Sequence, residues 1–110
     1  MLSEKEIQKN RQILSESDKS MAAAFKILGD VNRFRIFRIL AQQPKISVSN
    51  IARILNISLP LTSQHLKILA HANFLQKERV GKKIIPKLEH SNPLVQAVLK
   101  TIEQALKSAD

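Results

Sequence analysis

A three-residue segment, Asn-Ile-Ser at 56–58, separates two short stretches whose apolar residues recur at helical spacing. The second stretch has Ser58 at the position expected of a capping residue and Pro60 in its first turn, where a missing N–H is harmless. The first stretch has Ser47 as its expected cap, and one helical face then carries four apolar residues: Val48, Ile51, Ala52 and Leu55. Two short helices with so brief a connection form a helix-turn-helix, which limits the architectures open to the chain.

The sequence before this motif predicts two more helices. An alanine-rich stretch that begins at Ser17 should be helical up to Gly29, which is a typical helix stop. A second helix should begin at Asp30, its N-cap, and end before Pro44. The apolar residues of these helices and of the helix-turn-helix are expected to form the core: Phe25, Val31, Phe34, Ile36, Phe37, Leu40, Ile51, Leu55, Leu66 and Leu69.

The sequence after the motif predicts a hairpin and a long C-terminal helix. Residues 77–87 are β-prone and turn at Gly81, which is typical of a two-stranded hairpin. A capping asparagine and a proline open an amphipathic helix at about 92–108, and its long apolar stripe favours burial against a second subunit. The predicted organisation is an N-terminal arm or short helix at 1–16, followed by one mainly α domain with a β-hairpin at 17–110.

Charge points to a polyanionic partner. The chain has 18 Lys and Arg against 9 Asp and Glu, a net charge of +9, and residues 1–20 are neutral, so the excess lies in the folded part. The absence of cysteine excludes disulfides and thiolate metal sites. Without a long apolar run or the apolar centre of a signal peptide, the sequence predicts a cytoplasmic protein with no membrane partner.

The second helix of the motif presents an unusual pair of leucines. A helical wheel directs six of its residues toward the core: Leu59, Thr62, Leu66, Leu69, Ala70 and Asn73. The opposite side presents Pro60, Leu61, Gln64, Lys67, Ile68 and His71. On a DNA-reading helix, Leu61 would contact a thymine methyl, Gln64 an adenine, and Ser63 a base or a phosphate. The alternative is that Leu61 packs against a neighbouring loop or remains in water.

Over residues 20–106 the sequence resembles the ArsR/SmtB family of winged-helix repressors. The most specific part of the resemblance is the run Ser58-x-Pro60-x-x-Ser63-x-His65-Leu66-Lys67-x-Leu69, followed by the glycine hairpin. The resemblance implies a winged helix-turn-helix homodimer built mainly from the first and last helices. It also implies that the two recognition helices enter successive major grooves and that both wings contact phosphate.

The departures from the family concern metal and base contacts. Ser47-Val48-Ser49 stands where the metal sensors of the family have Cys-Val-Cys, and serine is not a soft ligand. The C-terminal helix lacks histidine, and Glu89 with His90 falls short of a four-ligand zinc site. We therefore predict no metal and no other cofactor. Leu59 and Leu61 replace polar residues that are common in relatives, which places specificity on Pro60 and its neighbours.

The leading hypothesis is a homodimeric, sequence-specific transcriptional regulator, a repressor, that binds double-stranded DNA without catalysis. The predicted contacts are Ser58, Pro60, Leu61, Thr62, Ser63, Gln64, His65, Lys67, Arg79, Lys82 and Lys83. The hairpin lysines could instead protect an edge strand, and the three arginines of residues 33–38 are expected to be solvated. Two alternatives stay open: a non-specific architectural DNA-binding protein, and a protein-interaction module. The sequence names no effector.

Overall fold

The computed structural model describes residues 1–109 as a mainly α chain with one β-hairpin. The order of elements is α1 (Glu4–Arg11), α2 (Ser17–Leu28), α3 (Val31–Gln42), α4 (Val48–Leu55), α5 (Leu59–His71), β1 (Leu75–Val80), β2 (Lys83–Leu88) and α6 (Pro93–Ala109). α4 and α5 form the predicted helix-turn-helix, and the hairpin that follows is the predicted wing. No helix in residues 1–109 is long and apolar enough to cross a membrane.

Capping side chains set where the central helices begin. The carboxylate of Asp30 accepts a hydrogen bond from the Arg33 backbone N–H at 3.0 Å, and the hydroxyls of Ser47 and Ser58 accept from the N–H three residues later at 3.1 and 3.2 Å. These three predicted N-caps are confirmed. Asn56 ends α4 in the left-handed conformation, with φ of 55°, and this reverses the chain within three residues.

The core surrounds α3. Ile36 and Phe37 are fully buried, and α2, α4, α5 and β2 all pack against this helix. The remaining fully buried apolar side chains come from every later element or its edge: Ile51, Leu69, Phe74, Leu88 and Val95. Burial of side chains of this size contributes about 1.5–3 kcal/mol each, so α3 is the element that holds the others in place.

Two side chains that the sequence places in the core, one aromatic and one aliphatic, are exposed in the structure. Phe25 is 58% exposed and Val31 is 56% exposed, while Phe34 is half-buried. On α2 the side chains that pack on the core are Ala24, Ile27 and Leu28, and one helical step of 100° carries Phe25 to the outer side. Val31 is the first residue of α3 and lies at the margin of the packed region.

The hairpin is anchored at one end only. Its strands pair antiparallel in a register that runs from Leu75 opposite Leu88 to Val80 opposite Lys83. Leu75 and Leu88 are buried, whereas the turn and the residues beside it are exposed. Gly81 supplies the left-handed turn residue, with φ of 63°. The wing therefore projects from the core, and its predicted extent of 77–87 lengthens to 75–88.

The N-terminal segment and the end of α6 extend away from the core. α1 begins with a capping box between Ser3 and Glu6, and its side chains are exposed apart from half-buried Ile7. The Cα radius of gyration is 17.8 Å and the longest dimension is 62 Å. A compact chain of this length has a radius of about 13 Å. The elongated shape leaves helix surface available for a partner.

Replacing Asp30 by alanine should lower the free energy of unfolding by about 1 kcal/mol at neutral pH, because α3 loses its N-cap. The Arg33 backbone hydrogen bond lowers the pKa of the Asp30 carboxyl. Ionised Asp30 therefore stabilises the fold above the ordinary pKa of the group, and this contribution is lost as the pH falls through the lowered value. Urea unfolding from neutral to acid pH measures the difference. Asp30→Asn keeps an acceptor and should lie between the two proteins; equal stability of all three at neutral pH would contradict the assignment.

Candidate nucleic-acid interface

The N-terminal half of α5 presents a continuous exposed face. Ser58 caps the helix, and the side chains that follow on this face are exposed: Leu59, Pro60, Leu61, Ser63, Gln64 and Lys67. Leu61 is 37% exposed, as expected of an edge position. Gln64 offers an amide that matches the edge of adenine, and Lys67 places a cation one turn further along. The exposed face thus has amide, hydroxyl, apolar and cationic groups within reach of one ligand.

The helix is rotated relative to the predicted wheel. Leu59 is 49% exposed, although the wheel places it in the core. Thr62 is buried, as the wheel places it, and His65 is buried as well, although both are predicted to contact DNA. The Thr62 hydroxyl donates to the Ser58 carbonyl oxygen at 2.9 Å, which satisfies it inside the fold. Both side chains are therefore removed from the candidate interface, and Leu59 joins it.

His65 is buried because it has a polar partner on α3. The Arg33 guanidinium lies 3.4 Å from Nδ1 of His65, and its Nε donates to the Ile27 carbonyl oxygen at 2.8 Å. Arg33 is half-buried, so the expectation of a solvated charge is wrong for this residue. The expectation is confirmed for the neighbouring Arg35 and Arg38, which are exposed.

The hairpin places cations beside α5. Arg79, Lys82 and Lys83 are exposed, and Lys82 and Lys83 lie at and next to the turn. The Arg79 Nε is 3.4 Å from the Gly81 carbonyl oxygen, a long contact that leaves most of the guanidinium open. Exposed lysine and arginine on a projecting hairpin are suited to phosphate.

A groove of about 730 Å³ joins the two elements. Ser63 and Lys67 line it from α5, Lys77 and Ile84 line it from the hairpin, and Leu66 is part of its apolar floor. Lys77 is missing from the predicted site. The two-residue alternation of β1 places it on the same face as Leu75, which also lines the groove, and that alternation is the signal that could have found it.

Ser47 and Glu89, which lie in the two regions compared above with family metal sites, have hydrogen-bond partners within the fold. Within residues 1–109 no group of three or more His, Asp or Glu side chains is placed to hold a metal ion. Ser47 is occupied as an N-cap, and the Glu89 carboxylate accepts a hydrogen bond from the Ser91 hydroxyl at 2.7 Å.

Comparison with known proteins gives relatives of one kind. A family model described as a helix-turn-helix domain matches residues 28–78. The cadmium resistance transcriptional regulatory proteins CadC of Listeria innocua and Lactococcus lactis are each 35% identical over 63 residues, which cover 57% of this chain and 53% of the relative. The chain thus spans about half the length of the curated relatives it matches.

Solved structures match more of the chain. The transcriptional repressor BigR from Xylella fastidiosa has 25% identity and a TM-score of 0.67, with 87% of this chain and 95% of that chain covered. HlyU from Vibrio cholerae has 17% identity and a TM-score of 0.71, with 84% and 97% covered. Mb0332 from Mycobacterium bovis, described as a homodimeric winged helix-turn-helix DNA-binding domain, has 19% identity, a TM-score of 0.68, and 86% and 88% covered.

The fold is a winged helix-turn-helix. α4 and α5 are its helix-turn-helix, and the hairpin is its wing. The resemblance read from the sequence is confirmed: the chain resembles the ArsR/SmtB type of winged-helix regulator, and it shares the fold of BigR and HlyU.

Replacing Gly81 by valine should lower the free energy of unfolding by about 1–2 kcal/mol, because a branched L residue is strained at positive φ. Space is not the reason, since a Cβ at this position would meet nothing within 4 Å in the described part of the chain. Gly81→Asn is the matched control, because asparagine tolerates this conformation. Thermal unfolding of the three proteins measures the effect. A valine variant as stable as the asparagine variant would refute it.

Proposed function

We propose that the protein is a homodimeric, sequence-specific regulator of transcription, a repressor, that binds double-stranded DNA in the cytoplasm. The observation that carries the proposal is the exposed N-terminal face of α5 next to a cationic hairpin, on a chain with a net charge of +9. An α-helix fits the major groove, and a wing then reaches the flanking backbone. The proposal assigns no catalytic residue and no metal or organic cofactor.

In the proposed complex, base contacts and phosphate contacts come from different elements. Gln64 reads adenine, Ser63 bonds a base or a phosphate, and Leu61 packs on a thymine methyl. The remaining exposed groups position the duplex through its phosphates: Ser58, Lys67, Arg79, Lys82 and Lys83. Pro60 and Leu59 add apolar contact at the helix tip. The groove between α5 and the hairpin lies between these two sets and accommodates the intervening DNA strand.

The proposed dimer is supported by apolar side chains that a monomer leaves in water. Met21 and Phe25 on α2 are 52% and 58% exposed, and Leu106 near the end of α6 is 46% exposed. A second copy packed on these helices would bury them, consistent with the elongated shape of the protomer. Two-fold symmetry would place the two α5 helices about 34 Å apart, one turn of DNA.

Selection of bound sequences from a random DNA pool, followed by binding assays with excess random competitor, tests the function. A dimeric repressor should yield a two-fold symmetric sequence that survives competition. Binding that competitor removes completely would favour the architectural alternative, which the exposed Leu59 and Leu61 support because apolar contacts carry little sequence information. Absence of DNA binding at low salt would refute both.

Gln64→Ala should reduce discrimination between the selected sequence and a mismatched one by about 1–3 kcal/mol, with an unchanged dependence on salt.

The double variant Lys82→Gln, Lys83→Gln should weaken binding to all sequences alike and reduce the slope of log affinity against log salt by about 1.8, about 0.9 for each phosphate contact. Titrations between 50 and 200 mM salt would measure both quantities, a salt range over which several phosphate contacts change affinity strongly. Lys45→Gln removes an exposed charge outside the interface and serves as the control. A changed salt slope in Gln64→Ala would contradict the role of Gln64 in base reading.

Phe25→Glu should convert the dimer into a monomer, because it places a charge in the proposed interface. Analytical ultracentrifugation measures the mass, and circular dichroism checks that the fold is retained. Ile84→Glu is the matched control: Ile84 is 59% exposed, like Phe25, but lies on the hairpin. A wild-type monomer, or equal masses of the two variants, would refute the proposed interface.

A further inference from the structure

His65 is an unusual residue in the interior of this fold. Among the described residues, Thr62 and His65 are the buried polar side chains. Thr62 is satisfied locally by the Ser58 carbonyl. His65 has its partner on another helix, since Nδ1 lies 3.4 Å from the Arg33 guanidinium although the two residues are 32 apart in sequence. This contact therefore joins α3 to α5.

Arg33 has three contacts on three different segments. Its backbone N–H donates to the Asp30 carboxylate at 3.0 Å, which fixes the start of α3. Its Nε donates to the carbonyl oxygen of Ile27 at 2.8 Å, in the last turn of α2. The guanidinium NH1 atom then faces His65 in the middle of α5. The side chain of Arg33 thus connects the end of α2 with the centre of α5, while its backbone N–H holds the beginning of α3.

The chemistry of the pair fixes the orientation of the ring. A guanidinium only donates hydrogen bonds, so in this contact Nδ1 of His65 is the acceptor. A bond of 3.4 Å is long, but it lies in a partly buried setting where loss of an acceptor leaves a cation unsatisfied. His65 therefore turns one defined side of α5 toward α3.

The side of α5 that faces α3 decides which side chains face outward. Ser63 and Gln64 are exposed, and they immediately precede His65 in the helix. Each residue occupies 100° of the helical circumference, so Ser63 lies about 40° from Leu59, and a rotation that replaced His65 by Leu59 in the core would carry Ser63 toward α3 and away from the exposed face. Leu59 would compete for the core position, as its hydrophobicity alone predicts. The polar contact thus opposes the rotation that simple apolar burial favours.

We infer that Arg33 is a positioning residue for the DNA-reading helix: through His65 it sets the rotation of α5, and through the Ile27 carbonyl it ties that helix to α2. The inference rests on the proposed function. Because α2 carries part of the proposed dimer surface, the same side chain links the helix of that surface to the reading helix. Arg33 does this without contacting DNA.

Arg33→Met should weaken binding to the selected DNA sequence by about tenfold, a change typical of mutations that act through a contact network. The slope of affinity against salt should stay at the wild-type value, because no phosphate contact is lost. Arg35→Met is the matched control, on the same helix and with the same loss of charge, and should bind like wild type. A reduced slope for Arg33→Met would show direct phosphate contact and overturn the inference, as would equal affinities of the two methionine variants.

Two histidine variants separate positioning from general loss of stability. Asparagine can place an acceptor near the position of Nδ1, so His65→Asn should retain most of the wild-type affinity, whereas His65→Leu should lose about as much as Arg33→Met. In the double variant Arg33→Met, His65→Leu, the loss should be clearly smaller than the product of the two single losses. Affinities are compared at a temperature where thermal unfolding shows every variant folded. Independent, multiplicative losses would overturn the inference.

A readout without DNA distinguishes this inference from the proposed function. Backbone amides of residues 62–69 should exchange hydrogen faster in Arg33→Met than in Arg35→Met, because α5 loses its tether. If wild type binds no DNA, the proposed function fails, and the exchange result alone then decides whether Arg33 holds α5. Equal exchange in both variants would overturn the tether whatever the DNA result.

Discussion

Burial of one face of α3 is the interaction on which the rest of the structure depends. The side chains of Ile36 and Phe37 are fully buried, and that of Leu40 is 3% exposed. α4, α5 and β2 all pack on this helix. Since an isolated helix as short as α4 is not stable in water, the helix-turn-helix exists because α3 provides a surface for it. The candidate interface is thus held by a helix that lies outside it.

The elements that sequence predicts well are those fixed by local chemistry. Ser47, Asp30 and Ser58 cap helices through hydrogen bonds to residues three positions away, so the pattern is contained in a few letters. The rotation of α5 is different. Hydrophobicity places Leu59 inside and His65 outside, and the fold reverses both because Arg33, 32 residues earlier, meets the histidine. A contact of that separation leaves no local signal in one sequence.

The candidate interface combines predicted and unpredicted parts. Gln64, Ser63 and the hairpin cations are exposed as their positions in the sequence indicate. Lys77 belongs to the candidate interface only because β1 and α5 line the same groove, and this depends on how the hairpin packs against α5. The tip of α5 is uncharged and its surroundings are cationic. In the proposed complex the cations attract any duplex, and the uncharged groups at the tip distinguish one sequence from another.

Attachment at a single end makes the hairpin a lever. Its base is fixed by Leu75, Leu88 and the hydrogen bond from the Glu89 N–H to the Phe74 carbonyl oxygen, at 2.8 Å. Ile85 and Pro86 in β2 are also buried, so the free part of the arm runs about three residues from there to the turn, about 10 Å, and a pivot of about 10° displaces the tip by about 1.7 Å. Substitutions around Phe74 could therefore retune the reach of the lysines to DNA of different groove width while every contacting residue stays the same.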